Sequence, residues 1–133
     1  MHVGGLVYWE IFKTGGFGVK HEQFFNFMVN LCNRIDISKW VFIMDNAKSH
    51  KHPLLEIIYQ NLNCRIWWLP PYSSDYNPIE LCFGWVKSFM RKFFFLDLSV
   101  DEVLDCILRK YVRPEMLYNF VVKSVREWNK NKI

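Results

Sequence analysis

Two acidic residues stand where apolar runs give way, and their positions suit them to chemistry. Asp45 stops the run Trp40-Val41-Phe42-Ile43-Met44 and is followed by Asn46-Ala47-Lys48-Ser49-His50. Glu80 falls in the first turn of a helix that Asn77-Pro78 should start. In parallel α/β sheets, ligands gather outside the carboxyl ends of strands, where the loops leave a crevice. Two carboxylates drawn from one such edge make a hard oxygen site for a divalent cation such as Mg²⁺, and their mutual repulsion favours ligating one. Each acid alone also has an ordinary explanation. Asp45 suits a cap or loop, and Glu80 complements a helix dipole, so the surrounding residues must decide.

The elements that would position these acids follow from apolar period and turn chemistry. Gly4–Phe12 reads as a strand closed by Lys13-Thr14-Gly15-Gly16. Gly15, Gly16 and Gly18 lack the spacing of a phosphate-cradling loop and mark a turn. His21–Asn33 has a helical stripe (Phe24, Phe25, Phe27, Met28, Leu31, Cys32), and Trp40–Met44, apolar on both faces, reads as a central strand. Pro53 opens a helix running to Leu62, Cys64–Leu69 reads as another buried strand, and Pro70-Pro71-Tyr72-Ser73-Ser74-Asp75 interrupts regular structure. A helix then runs from Pro78 to about Phe94, a second from Ser99, boxed by Glu102, to Tyr111, and a third from Pro114 to Trp128. Alternating strands and helices with extra carboxyl-terminal helices argue an α/β fold.

Composition narrows the class. The 133 residues, 51% apolar and 23% charged, suit one ordered domain. A net charge of +4 permits a polyanionic partner without demanding one. No apolar run is long enough for a membrane-spanning helix, and Leu6–Trp9 lacks the basic flank of a signal peptide. Cys32, Cys64, Cys82 and Cys106 are too scattered for a zinc site and read as buried free thiols of an intracellular chain. His50 and His52 are poor partners for a hard cation and are left out of the ligand set. Trp67, Trp68 and Phe93-Phe94-Phe95 read as core rather than as base-stacking rings.

The string Asp45-Asn46-Ala47-x-x-His50, followed by Leu69-Pro70-Pro71-Tyr72-Ser73-x-Asp75-x-Asn77-Pro78-Ile79-Glu80, resembles the catalytic core of mariner-superfamily DDE transposases. Thirty-four residues separate Asp45 from Glu80, the spacing of the second and third catalytic acids in one large branch of that family. Phe83 and Lys87 also fall where the family has an aromatic residue and a lysine. The match is clear from Trp40 to Lys92 and loose from Gly4 to Met28. The resemblance implies an RNase H-like fold, a three-carboxylate site for two Mg²⁺ or Mn²⁺ ions, and DNA cleavage followed by strand transfer. By the same resemblance Asp45 and Glu80 are catalytic metal ligands, while Asn46, His50 and Asn77 support the site. It also implies DNA as partner, no membrane, a homodimer as in related transposases, and a nuclear location in a eukaryote.

Glu80, Gly84, Lys87 and Arg91 share one helical face, which places two cations along a phosphate track, with Lys48, Lys51 and His52 beside the acid loop. Ile79, Cys82, Phe83, Val86, Phe89, Met90 and Phe93 lie on the other face. Lys123, Arg126, Lys130 and Lys132 form a solvated basic end. The first catalytic acid has no counterpart: no aspartate precedes Asp36, and Glu10 is in the wrong element. The expectation is therefore a single partial domain, with its core at 4–95 and a helical extension at 96–133. The first strand and its aspartate are missing, and the chain alone should not cleave DNA. The alternative is a non-catalytic DNA- or protein-binding module derived from a transposase.

Overall fold

The computed structural model describes every residue except 3, 14, 17, 94–96, 132 and 133. The described residues form α1 (His21–Cys32), β1 (Val41–Met44), α2 (Pro53–Asn61), β2 (Arg65–Trp68), α3 (Pro78–Met90), α4 (Val100–Lys110) and α5 (Pro114–Asn131). Short 3-10 turns fall at Ile37–Lys39, Lys48–His50, Ser74–Tyr76 and Arg91–Phe93. Contacts gather the chain into two compact units, one of Phe12–Ser73 and one of Met1–Ile11 with Ser74–Ile133.

In the first of these units β1 and β2 run parallel, with Val41 opposite Arg65 and Met44 opposite Trp68. The pleat sends Phe42, Met44, Ile66 and Trp68 to one face, where they join Met28, Leu55 and Tyr59 of α1 and α2 in a core. The other face is bare: Val41 and Ile43 are each 50% exposed and Trp67 61%. This corrects two expectations. The run at 41–44 is not covered on both sides, and Trp67 is not core. Apolar period says that a strand has faces; it does not say that a neighbour exists to cover both.

The other unit is helical. Cys82 and Val86 of α3, Val103 and Ile107 of α4, and Leu117 of α5 form its buried centre, flanked by Trp85, Phe89, Phe93 and Phe120. An aromatic ladder adds to it, with Phe89 4.8 Å from Trp85, 5.3 Å from Phe93 and 4.9 Å from Tyr111. The helix carrying Glu80 therefore belongs with the carboxyl-terminal helices. Gly4–Phe12 is not a strand: apart from an isolated bridge between His2 and Gly5, its described residues form no ladder. A strand exists only through its partner, and none pairs here. Trp9 instead donates from Nε1 to Asp105 of α4 at 3.1 Å.

The thiols are free as expected, but only Cys82 is buried, and Cys106 is exposed. Burial raises the Cys32 thiol and pushes Cys64 up to about 11, so neither is a ready thiolate. Thr14, Phe94, Phe95 and Lys132, named above, lie outside the described residues.

Candidate active site

The Asp45 side begins with β1, which ends at Met44 and delivers Asp45 at its carboxyl end. The backbone turns at once, because Asp45 Oδ1 accepts from the Ala47 N–H at 3.1 Å. That turn feeds the short helix Lys48–His50, which brings His50 back so that Nδ1 lies 2.7 Å from the same Oδ1. The contact is close in distance but not aligned as a hydrogen bond, so it acts chiefly through charge when the imidazole is protonated. Asp45 Oδ2 makes no hydrogen bond among the described residues and, with the side chain 44% exposed, remains available to a ligand.

Three further contacts fix this loop. Asn46 donates from Nδ2 to the Leu69 carbonyl, tying the end of β1 to the end of β2. The Phe24 ring of α1 lies 4.3 Å from the His50 ring. Tyr59 of α2 donates its hydroxyl to the His50 carbonyl at 2.9 Å, and its burial raises the phenol well above its ordinary value. Tyr59 and Phe24 were not legible as site residues, because both also satisfy an ordinary core stripe. Lys48 is exposed on the turn, whereas Lys51 lies 4.7 Å from the centre of the Trp68 ring. His52 is a helix cap: its Nδ1 accepts from the Leu54 N–H at 3.2 Å, and its ring stacks on His21 at 3.7 Å.

Glu80 is placed by a separate local device. Asn77 Oδ1 accepts from the Ile79 N–H at 3.1 Å, and Pro78 occupies the first turn. Glu80 follows in that turn, exposed and without a hydrogen-bonded side-chain partner among the described residues. Gly84, Lys87 and Arg91 are exposed with it, as the helical period requires, while Cys82 and Val86 are buried. Phe83 departs from the expected apolar face and is 49% exposed.

The acids before Asp45 are already engaged. Glu10 accepts from the Tyr8 hydroxyl, and Glu22 faces His21 at 3.6 Å. Asp36 caps the Ile37–Lys39 turn through Ser38, whose hydroxyl and backbone N–H hold its carboxyl below the usual range. In donor type, Asp45 and Glu80 suit Mg²⁺ or Mn²⁺. Among the described residues no group of three His, Cys, Asp or Glu side chains is placed to hold an ion.

A model of the DDE superfamily endonucleases matches residues 12–100, a stretch that includes Asp45, Glu80 and both of their loops. The chain belongs to that family. Its fold is that of a mariner-type, RNase H-like transposase domain. It resembles the Mos1 transposase catalytic domain solved with raltegravir and Mg, at a TM-score of 0.79 and 20% identity, over 98% of this chain and 69% of that one. It also resembles a pre-cleavage Mos1 transpososome (0.77, 20%, over 96% of this chain and 40% of that one). A Mos1 strand transfer complex is similar too (0.74, 21%, over 96% and 38%). No curated protein matches the chain.

Proposed function

We propose that this chain is part of a DNA strand-cleaving and strand-transferring domain in which Asp45 and Glu80 are the second and third metal-binding carboxylates. The observation that carries the reading is Asp45 itself, held at the carboxyl end of a parallel strand with one oxygen fixed by Ala47 and the other open. A pair of divalent cations would supply activation of the attacking water or 3′-hydroxyl and charge neutralisation at the leaving oxygen. The Mos1 catalytic domain has been solved with Mg and with Mn, which supports that choice of cation.

The chain's own residues would do the rest. Asp45 and Glu80 would each offer hard oxygens to a divalent cation, and the Ala47 N–H fixes one oxygen of the Asp45 carboxylate. Asn46, by tying the two strand-end loops, keeps that carboxylate from swinging away. Asn77 starts the helix on which Glu80, Lys87 and Arg91 project, and the two cations hold phosphates without reading bases. A homodimer as the working assembly, and a nuclear setting in a eukaryote, belong to the same proposal.

Two carboxylates hold metal but do not complete a two-ion centre, so the 133-residue chain should bind Mn²⁺ weakly and leave supercoiled DNA intact. Mn²⁺ titration followed by electron paramagnetic resonance tests this. Asp45→Asn and Glu80→Gln should each weaken binding about tenfold or more, by analogy with changes that disturb a metal's supporting ligands. Equal binding by both variants would overturn the assignment. Nicking by the chain alone that disappears in Asp45→Ala would overturn the inactivity. A second reading, a DNA-binding module without catalysis, draws on the engagement of Glu10, Glu22 and Asp36. DNA affinity indifferent to loss of both Asp45 and Glu80, in a chain that holds no Mn²⁺, would favour it.

A further inference from the structure

Tyr72 sits in the loop after β2 with a combination of features that the proposed chemistry does not use. Its side chain is fully exposed, at 107% of the reference area, and makes no hydrogen bond or ring contact among the described residues. Its backbone is left-handed, with φ at 56°, a region that side chains other than glycine and asparagine rarely adopt. Asn63, the other described residue of this kind, has φ at 52° at the end of α2, where an asparagine tolerates the turn at little cost. A tyrosine has no such compensation. Pro70 and Pro71 stiffen the approach, and Ser73 donates its hydroxyl to the Pro71 carbonyl at 3.1 Å across the Tyr72 turn.

An aromatic ring held away from the surface, on a strained backbone and a rigid base, adds nothing to folding. Strain kept at a position without a packing reason points to a role outside the fold. Trp67 makes the contrast: it is exposed as well, but in register with Ile43 and on the same sheet face as Val41, so its exposure belongs to an apolar patch. Tyr72 is solitary, with its ring faces open to a planar ligand. The net charge of its unit favours an anionic one. Between residues 12 and 73 there are seven Lys or Arg against four Asp or Glu, compared with ten against nine in the rest of the chain. A ligand that is both planar and polyanionic is a nucleic-acid strand with an accessible base. Stacking on an aromatic side chain tolerates any base and needs that base unpaired.

We propose that Tyr72 is a stacking platform for an unpaired base of the DNA strand, held out by the Pro70-Pro71 pair. The assignment rests on the DNA reading above and adds to it a residue that prefers single-stranded or frayed DNA to intact duplex.

Fluorescence anisotropy with a labelled mixed-sequence single strand and its duplex, run beside thermal unfolding, tests the claim. Tyr72→Asn relieves the backbone, so its unfolding midpoint should stay level or rise. Its affinity for the single strand should nevertheless fall about tenfold, with little change on duplex. Tyr72→Trp should keep single-strand binding. Unchanged single-strand affinity in Tyr72→Asn, with the parent binding normally, overturns the stacking role and leaves the ring to a protein partner. So does an equal loss on both DNA forms, or a loss that tracks a fallen midpoint. A parent chain that binds neither form sinks the DNA reading itself, and this assignment with it.

Discussion

The two units reach order by different routes. The helical unit surrounds a closed centre: Leu117 is fully buried, and Cys82, Val86, Val103 and Ile107 pack with it from three helices. The sheet unit has an equally buried residue in Leu55, but its two strands are covered on one side only, leaving Val41, Ile43 and Trp67 to solvent. Three amphipathic helices can bury one another's stripes, whereas a two-stranded sheet has two faces and two edges to satisfy. The sheet unit is also where most of the net positive charge and the Asp45 loop reside. In this chain the unit that carries the Asp45 loop is the one with the less complete core.

That contrast is most easily broken by core truncation. Leu117→Ala and Leu55→Ala each remove a side chain with no exposure and should destabilise by about 3 kcal/mol in urea unfolding. Ile43→Ala, on the bare sheet face, should cost under about 1 kcal/mol, since it forfeits only partial burial. If Ile43→Ala proves as damaging as Leu117→Ala, that face is covered in solution and the sheet unit is better packed than its strands alone indicate.

What the sequence disclosed divides instead by the range of the contacts involved. The helix starts at Asn77-Pro78, Pro53 and Ser99 were legible because a cap is a contact between residues two or three apart. The placement of Glu80 came with them. Asp45 at a strand end was legible too, since apolar runs stop sharply at polar residues. Gly4–Phe12 was misread because β propensity describes a residue's fit to a sheet and cannot supply the neighbouring strand. Trp67 failed for the same reason, its exposure being decided by an element that is not adjacent in sequence. The approach of His50 to Asp45 was hidden, because it depends on a single short turn, and Tyr59 looked like any other core aromatic.

Tyr59 offers a finer probe of the sheet unit. Tyr59→Phe keeps the ring packed among Met28, Met44 and Leu55 but deletes the hydroxyl that the His50 carbonyl accepts. One neutral hydrogen bond lost from a partly buried site should cost about 1 kcal/mol. The effect should be local: amide exchange should speed up at 46–51 and leave α3 to α5 unchanged. A loss confined to global stability, with the loop equally protected, would show that the hydroxyl does not hold the loop.

The smallest effect should come from the helical unit's surface clasp, and it should appear only in its pH dependence. Asp105 binds Arg109 at 2.7 Å and accepts from Trp9 at 3.1 Å, while the Arg109 guanidinium lies 5.4 Å from the Trp9 ring centre. The Arg109 hydrogen bond first, and the Trp9 one second, hold the Asp105 carboxyl below its ordinary value of 3.8. A carboxylate depressed on folding contributes stability that is full above its unfolded pKa and disappears as pH falls through the lower folded one. Asp105→Asn should therefore differ from the parent in thermal midpoint at neutral pH, and the gap should close below about pH 4. Because the group is exposed, added salt should shrink the gap as well. A gap that persists unchanged into acid would mean that side-chain packing, not charge, joins Trp9 to α4.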